Sequence, residues 1–176
     1  MAFADPKENI KHLELKERDI VADFGTGSGY YAMELARRVG GDGIVYAVDV
    51  NKSSLEHLAT KARDAKLTNI NVLWADAEEV GGTKLKDGLV DSVVIANTLF
   101  QIENKEGMAK EAARILKKGK EVLVIDWDSA LPGLGPRSGQ TVTADMAETI
   151  FSKSGFSPVK KFDAGDHHWG MIFRKL

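Results

Sequence analysis

Short apolar, β-branched segments alternate with amphipathic segments along the first two thirds of the sequence. The apolar segments are predicted to be strands at residues 20–24, 43–50, 70–75, 89–96 and 121–126. The segments with helical spacing are predicted to be helices at residues 30–39, 53–65 and 103–117. Strands that are apolar on both faces and alternate with helices form a parallel sheet that is covered on both sides. The sequence therefore predicts a doubly wound α/β fold with right-handed crossovers.

The last third of the sequence departs from this alternation. A predicted helix at 143–154 is followed by two strand-like runs, SPVKKFDAG and HHWGMIFRKL, which are joined around Gly165 and Asp166. Because a parallel crossover needs about a dozen residues or more, the last two strands are predicted to be antiparallel. No linker of domain-separating composition interrupts the chain. We therefore expect one domain over residues 1–176, with seven strands and helices on both faces of the sheet.

The composition excludes several kinds of function. The absence of cysteine rules out disulfides, thiolate metal sites and cysteine nucleophiles. The four histidines show no metal-ligand spacing, so no metal site is predicted. A net charge of −2 argues against a nucleic-acid partner. No apolar run reaches the roughly 18 residues of a membrane span, and the first residues do not resemble a secretory signal, so we expect a cytoplasmic protein without membrane insertion.

The stretch VADFGTGSGYYA, residues 21–32, places three glycines between a predicted strand and a predicted helix. A glycine turn lets the backbone approach a ligand closely, and the helix that follows adds N–H groups beside it. The spacing G-T-G-S-G differs from the G-x-G-x-x-G of dinucleotide sites. A carboxylate at Asp23 also suits a ligand with positive charge better than a pyrophosphate. The alternative is that the glycines serve only the tight packing of the strand against the helix.

The run from Asp23 to Gly29, DFGTGSG, resembles the first motif of class I S-adenosylmethionine-dependent methyltransferases, which reads acidic-x-G-x-G-x-G. The resemblance implies a Rossmann-like sheet with an antiparallel C-terminal strand. It also implies S-adenosylmethionine as cofactor and S-adenosylhomocysteine as its product. The residues that it assigns to cofactor binding around this motif are Asp23, Gly25, Thr26, Gly27, Gly29 and Tyr30.

Three further positions extend the resemblance. It implies that Asp49, followed by Val50, accepts hydrogen bonds from both ribose hydroxyls; the alternative is a solvent-facing strand end. It implies that Asp76 binds the adenine amino group and that the Ala77 N–H faces a ring nitrogen, whereas Asp76 could instead cap a short helix. Asn97 occupies the position where the cofactor and acceptor pockets of this family meet, or it is a simple turn residue.

The runs ADAEEV and EAARILKKGKEVLVIDW look most like the small-molecule branch that includes ubiquinone/menaquinone C-methyltransferases. The chain departs from those proteins in lacking a substantial N-terminal cap and in having Gln101-Ile102 where many carry a histidine. The predicted function is in-line transfer of a methyl group from S-adenosylmethionine to a small-molecule acceptor. Two alternatives remain, an RNA or protein methyltransferase and a non-catalytic domain that binds NAD(P) or the methyl donor. The oligomeric state, monomer or small homo-oligomer, is left open.

The acceptor side is defined by residues that follow the fifth predicted strand. Asp126 and Asp128 are candidate general bases. Trp127 either lines the site of an aromatic acceptor or belongs to the core. The loop 129–140 is a candidate lid whose Arg137 could engage an anionic acceptor or simply be solvated. We expect the acceptor to enter beside this loop and the segment from Phe3 to Leu13. Tyr30 and Tyr31 are expected to close over the cofactor, with one of them packed in the core.

Overall fold

The structure is a computed structural model that describes residues 4–131, 133 and 135–176. The described residues form one seven-stranded sheet with helices packed on it. The strands are β1 Ile20–Phe24, β2 Ile44–Asp49, β3 Ile70–Trp74, β4 Val90–Ala96, β5 Leu116–Trp127, β6 Phe156–Gly165 and β7 His168–Lys175. The α-helices are α1 Pro6–Asn9, α2 Tyr30–Val39, α3 Lys52–Asp64, α4 Lys105–Ile115 and α5 Ala144–Lys153, and 3₁₀ turns lie at Ile10–His12 and Leu99–Gln101.

The strand order is β3-β2-β1-β4-β5-β7-β6. Strands β1 to β5 pair in parallel, whereas β7 is antiparallel to both β5 and β6. The predicted fold class, mostly parallel with an antiparallel C-terminal strand, is confirmed. The winding direction reverses between β1 and β4, and ligands of doubly wound sheets bind beyond the carboxyl ends of the strands at such a point.

Both faces of the central strands β1 and β4 are buried, as their apolar sequences predicted, whereas the edge strands β3 and β6 are largely exposed. On one face, helices α4 and α5 pack over Phe24 and Ile95. On the other, helices α2 and α3 pack over Val21 and Val94. Alternate residues of β1 and β4 therefore point into two separate cores, which is the side-chain alternation of a strand covered on both sides. The two cores hold the carboxyl ends of the strands at one rigid edge.

The boundary between α4 and β5 differs from the prediction. The helix ends at Ile115 rather than residue 117, and β5 begins at Leu116 rather than residue 121. Strand β4 pairs with Leu116 and then with Glu121 across a shift in register, and Gly119 there has a φ of +75°. Since this irregular start carries polar side chains, its strand character is not visible in the pattern LKKGK.

The N-terminal segment is attached to the carboxyl edge of the sheet. The Asn9 side chain donates hydrogen bonds to the Tyr31 hydroxyl, at 3.2 Å, and to the Ala164 carbonyl, at 3.1 Å. Ile10, Leu13 and Leu15 are buried in the same core as α2. Within the residues that the structure describes, no helix is both long and apolar enough to cross a membrane.

Candidate functional site

A cleft of about 410 Å³ lies at the carboxyl edge of the sheet, beside the reversal between β1 and β4. Its walls come from the segments that follow β1, β2, β3 and β4 and from helix α4. The lining residues are Gly25, Gly27, Val48, Asp49, Val50, Asn51, Ser54, Ala75, Asp76, Ala77, Glu78, Thr98, Gln101, Ile102 and Met108. Six of the predicted cofactor residues are thereby brought to one cavity: Gly25, Gly27, Asp49, Val50, Asp76 and Ala77.

The glycine turn forms the floor of the cleft. The N–H groups of Gly25 and Thr26 both donate to the Val48 carbonyl, at 2.9 and 3.0 Å, so the turn is fixed to the end of β2. A Cβ at Gly25 would lie 2.5 Å from the Thr98 hydroxyl, and one at Gly29 would overlap Leu58. These two glycines serve packing, which is the alternative explanation for the motif.

Gly27 differs from its two neighbours in the motif. A Cβ at Gly27 would meet nothing closer than the Gly25 carbonyl, at 3.8 Å, although the residue has a φ of +49°. It lines the cleft, so a side chain there would occupy the cavity instead of clashing with the protein. The absence of a side chain at Gly27 is what keeps the floor of the cleft open.

Asp49 connects the glycine turn to the start of α3. Its Oδ2 accepts a hydrogen bond from Gly27 N at 2.8 Å, and its Oδ1 accepts one from Asn51 N at 2.8 Å. A carboxylate has about four acceptor sites, so both oxygens keep further capacity for a ligand in the cleft. Val50 follows with an exposed side chain, and its carbonyl accepts the indole N–H of Trp74 at 2.9 Å.

The far wall of the cleft begins with Asp76 and Ala77. Asp76 Oδ1 accepts a hydrogen bond from Glu78 N at 2.8 Å, and Ala77 is buried. The residues that follow form turns rather than a helix, so the side chain of Asp76 closes a local turn and still lines the cleft. The adenine contacts of Asp76 and Ala77 remain predictions.

Asp23 lies behind the glycine turn and is not among the residues that line the cleft. It is 2% exposed, and its Oδ2 accepts a hydrogen bond from the Thr26 hydroxyl at 2.6 Å. Burial raises the pKa of Asp23 to about 7, and the nearby charge of Asp49 acts in the same direction. A cation in the cleft would favour the ionised form of this carboxyl.

The other predicted cofactor residues surround the cleft without lining it: Thr26, Gly29, Tyr30 and Asn97. Tyr30 is exposed beneath Lys61, whose Nζ lies 5.0 Å from the ring centroid, whereas Tyr31 is buried. Asn97 has a φ of +55°, and its Oδ1 is buried and accepts no hydrogen bond from the residues that the structure describes. Their cofactor contacts also remain predictions.

Several lining residues were not anticipated from the sequence as cofactor contacts. Thr98 donates to the Ala96 carbonyl at 3.0 Å and stands against Gly25. Gln101 and Ile102 lie in the segment after β4, where strand-end reasoning directs attention. Met108 reaches the cleft from the first turns of α4, and no local sequence signal marks it.

The two candidate bases occupy different environments. Asp126 is fully buried, and its two oxygens accept hydrogen bonds from Trp127 N at 2.8 Å and Phe100 N at 3.2 Å. Burial raises the pKa of Asp126 to about 6. Through Phe100 it fixes the 3₁₀ turn Leu99–Gln101 beside the cleft. Asp128 is exposed and accepts the Ser129 hydroxyl at 2.7 Å.

The segments expected to receive the acceptor are described in part. In the loop 129–140, Pro132 and Leu134 lie outside the described residues; Arg137 is exposed, and its N–H donates to Gln140 Oε1 at 3.1 Å. Phe3 also lies outside the described residues. Trp127 is buried with its ring centroid 4.2 Å from that of His168. No group of three or more potential metal ligands occurs within the described part of the chain.

Comparison with known proteins agrees with this geometry. Residues 15–171 match a family model described as a methyltransferase domain. The chain is 28% identical over 149 residues, or 74% of its length, to the ubiquinone/menaquinone biosynthesis C-methyltransferase of Idiomarina loihiensis. It is 33% identical over 121 residues, or 67% of its length, to the protein of the same name from Neisseria meningitidis. The alignments cover 58% and 46% of those relatives, so the chain spans about half of their length.

Solved structures resemble nearly the whole chain, and one of them illustrates the similarity. It is a SAM-dependent methyltransferase from Aquifex aeolicus, which superimposes with a TM-score of 0.89 at 26% sequence identity. The superposition covers 99% of this chain and 91% of that one. The shared fold therefore extends over nearly the full length of both chains.

Proposed function

Since the chain belongs to the methyltransferase domain family, we propose that it transfers a methyl group from S-adenosylmethionine to a small-molecule acceptor. The family and the Aquifex aeolicus structure imply S-adenosylmethionine as the cofactor. The names of the curated relatives support a small-molecule acceptor, because they describe C-methylation in ubiquinone and menaquinone biosynthesis. The acceptor of this chain is not identified by those names.

The observation that carries the proposal is the meeting of Gly27, Asp49 and Asp76 in one cleft at the reversal of the sheet. These residues lie far apart in the sequence, and each fits a different part of the cofactor. The open floor at Gly27 leaves room for the methionine end of the cofactor. The Asp49 carboxylate can accept hydrogen bonds from the two ribose hydroxyls, and the Asp76 carboxylate can accept one from the adenine amino group. A volume of about 410 Å³ lies within the usual range of small-molecule sites.

The chemistry requires little covalent help from the protein. When bound, S-adenosylmethionine would supply a methyl group on a sulfonium, and in-line attack of the acceptor on the methyl carbon would release S-adenosylhomocysteine as a neutral thioether. The chain contributes by holding the acceptor and the methyl carbon in a near-attack geometry, and such positioning accounts for a large part of a bimolecular barrier. A base is required only where the acceptor atom must lose a proton.

The charge distribution favours a small acceptor over RNA. Lys117 and Lys120 lie 2.8 and 3.5 Å from Asp91, so two lysines of this basic cluster share an ion-pair partner within the protein. It also starts β5, whose amino end lies at the edge of the sheet opposite the cleft. An RNA or protein acceptor remains the alternative, and a salt-sensitive association with RNA would favour it.

Methyl-labelled S-adenosylmethionine tests the proposal directly. The protein is incubated with the labelled donor and fractionated cell extract, and label is followed into small molecules, RNA and protein. We expect label in a small-molecule fraction, and a rate of labelling roughly tenfold to hundredfold lower when the Asp49→Ala variant is used at a donor concentration limiting for the wild type. Label confined to RNA or protein would contradict the proposed acceptor class, and absence of transfer together with tight donor binding would favour a non-catalytic domain.

A further inference from the structure

The two edge strands of the sheet differ in the residues that they carry. Strand β6 contains Pro158, Lys160 and Lys161 and pairs with β7 through shifts in register. Proline, lysine and irregular pairing are features by which natural edge strands prevent the addition of a further strand. Strand β3, at the opposite edge, has the sequence INVLW, which contains no proline or lysine, and it pairs with β2 in uniform register. The β3 edge is therefore open to another strand.

The backbone of β3 has hydrogen-bonding groups on its outer side. At the end of the strand, Ala75 N donates to the Asp49 carbonyl of β2 at 3.2 Å. In a parallel ladder, residues that bond to the neighbouring strand alternate with residues whose N–H and C=O groups point away from it. Because Ala75 bonds to β2, the residues of β3 that point their backbone groups outward are Ile70, Val72 and Trp74.

The side chains at the β3 edge are apolar and exposed. Val72 is 37% exposed and Trp74 is 64% exposed, and the two lie on the same face of the strand. The Trp74 ring is held in place, because its indole N–H donates to the Val50 carbonyl at 2.9 Å and Lys52 Nζ lies 3.7 Å from the ring centroid. A strand added at this edge would cover ordered apolar surface that now faces solvent.

The charges on either side of β3 indicate which strand fits there. Before the strand, the exposed Arg63 and Lys66 flank a single carboxylate, Asp64. After the strand, the residues are predominantly acidic: Asp76, Glu78 and Glu79. An antiparallel copy of the same strand would bring the basic end of each copy to the acidic end of the other, whereas a parallel copy would bring like charges together. Charge complementarity therefore favours an antiparallel second copy of this chain.

We propose that β3 pairs with β3 of a second copy, antiparallel about a twofold axis at Val72, so that one sheet continues through both copies. In this register Val72 of one copy lies opposite Val72 of the other, and Ile70 of each copy lies opposite Trp74 of the other. All the outward residues of the strand then form hydrogen-bonded pairs, and their apolar side chains pack across the junction. The same register places Lys66 opposite Glu78. The contact is isologous, as in most symmetric dimers, and is independent of the proposed methyl transfer.

The first arm of the test measures mass by sedimentation velocity across the micromolar range. We expect the wild type to reach the mass of two chains as its concentration rises, and Val72→Lys to keep the mass of one chain, because two lysine side chains would face each other at the axis. The matched control is Val159→Lys, which changes an exposed valine on the opposite edge strand β6. Circular dichroism checks that all three proteins are folded. A wild type that keeps the mass of one chain throughout, or a Val72→Lys variant that associates like the control, would overturn the inference.

The second arm measures the register by cross-linking, which is possible because the chain has no cysteine of its own. Directly opposed residues of a hydrogen-bonded antiparallel pair have Cα atoms about 5.5 Å apart, a separation that a disulfide spans. We expect mild oxidation to link Val72→Cys into a two-chain product, with Val159→Cys as the control. We also expect Ile70→Cys to link to Trp74→Cys in a mixture faster than to itself. Linking of Val72→Cys no faster than that of Val159→Cys would overturn the pairing, and self-linking of Ile70→Cys faster than its mixed linking would overturn the register.

Discussion

At the scale of single residues, the glycine motif divides into packing and ligand positions. Gly25 and Gly29 lie against Thr98 and Leu58, whereas Gly27 faces the cleft.

We expect Gly27→Asn to abolish binding of S-adenosylhomocysteine while keeping the fold, because asparagine tolerates a positive φ and its side chain would fill the cavity. Gly119→Asn is the matched control, since Gly119 has a φ of +75° and a Cβ at this position would have no neighbour within 4 Å. Calorimetric titration measures the affinity of both variants for S-adenosylhomocysteine. Equal affinities of Gly27→Asn and Gly119→Asn would show that Gly27 does not face the ligand.

The raised pKa of Asp23, about 7 against an ordinary 3.8, makes stability depend on pH. Between about pH 4 and pH 7 the folded state keeps a proton that the unfolded state has lost, so Asp23 lowers stability as the pH rises through this window. The physical cause is burial of the ionised form.

We expect Asp23→Asn to be less sensitive to a rise from pH 5 to pH 7 than the wild type. Asparagine keeps an acceptor for the Thr26 hydroxyl and removes the charge. The free energy of unfolding in urea is measured across this range for both proteins. Asp126, with a pKa raised to about 6, contributes equally to the pH dependence of both proteins. Its contribution therefore cancels when the unfolding free energies of the two proteins are compared. Parallel pH dependences of the two proteins would contradict the assignment to Asp23.

At the scale of elements, Glu78 joins two walls of the cleft. Its Oε2 accepts hydrogen bonds from Glu103 N at 2.9 Å and Asn104 N at 2.6 Å, where α4 begins. Its carbonyl also accepts the Asn104 side chain at 3.1 Å. The turn after β3, with Ala77, is thereby fixed relative to the segment with Ile102.

Removing this connection should loosen the cleft. We expect Glu78→Ala to weaken affinity for S-adenosylhomocysteine by about tenfold, which corresponds to about 1.4 kcal/mol and to the loss of charge-assisted hydrogen bonds that hold the site in place. The control is Glu79→Ala, whose side chain is exposed beside it. If both variants bind like the wild type, the two walls are held by packing alone.

The sequence predicts elements where the apolar pattern is strong. The alternation of strands and helices was sufficient to predict the parallel part of the sheet. The short connection at Gly165 and Asp166 was sufficient to predict that its last two strands are antiparallel. The start of β5 was missed because its first residues are polar and pair irregularly around Gly119. Gly25, Val50 and Asp76, which follow strands β1, β2 and β3, were predicted for the site and line the cleft, whereas Asn97 after β4 does not. Thr98 and Met108 line the cleft but were missed, because their position depends on how the segment after β4 folds back.

At the scale of the whole molecule, the sheet brings two cavities to one edge. The cofactor cleft lies beside the reversal between β1 and β4, and the second cavity lies where β5 and the β6–β7 turn meet. The N-terminal segment reaches the same edge through Asn9, which contacts α2 and the end of β6. The carboxyl edge of the sheet therefore carries the polar residues that line both cavities.

The central claim is that the cleft binds the methyl donor, and Asp49 is the residue that tests it most directly. Its carboxylate fixes the glycine turn and is available to the ribose hydroxyls, so Asp49→Ala should lose about 1.5 to 3 kcal/mol of binding free energy. That corresponds to roughly tenfold to hundredfold weaker affinity. Because these contacts are the same before and during transfer, turnover at saturating donor should change far less.

The deciding measurement is calorimetric titration of the wild type, Asp49→Ala and the control Asp64→Ala with S-adenosylhomocysteine, with NAD as the competing ligand and circular dichroism as the check on folding. Asp64 is an exposed carboxylate at the end of α3, outside the cleft. The account predicts that the wild type and Asp64→Ala bind S-adenosylhomocysteine alike, that Asp49→Ala binds it at least about tenfold more weakly, and that NAD does not bind. Equal affinities of all three proteins, or binding of NAD in place of S-adenosylhomocysteine, would contradict it.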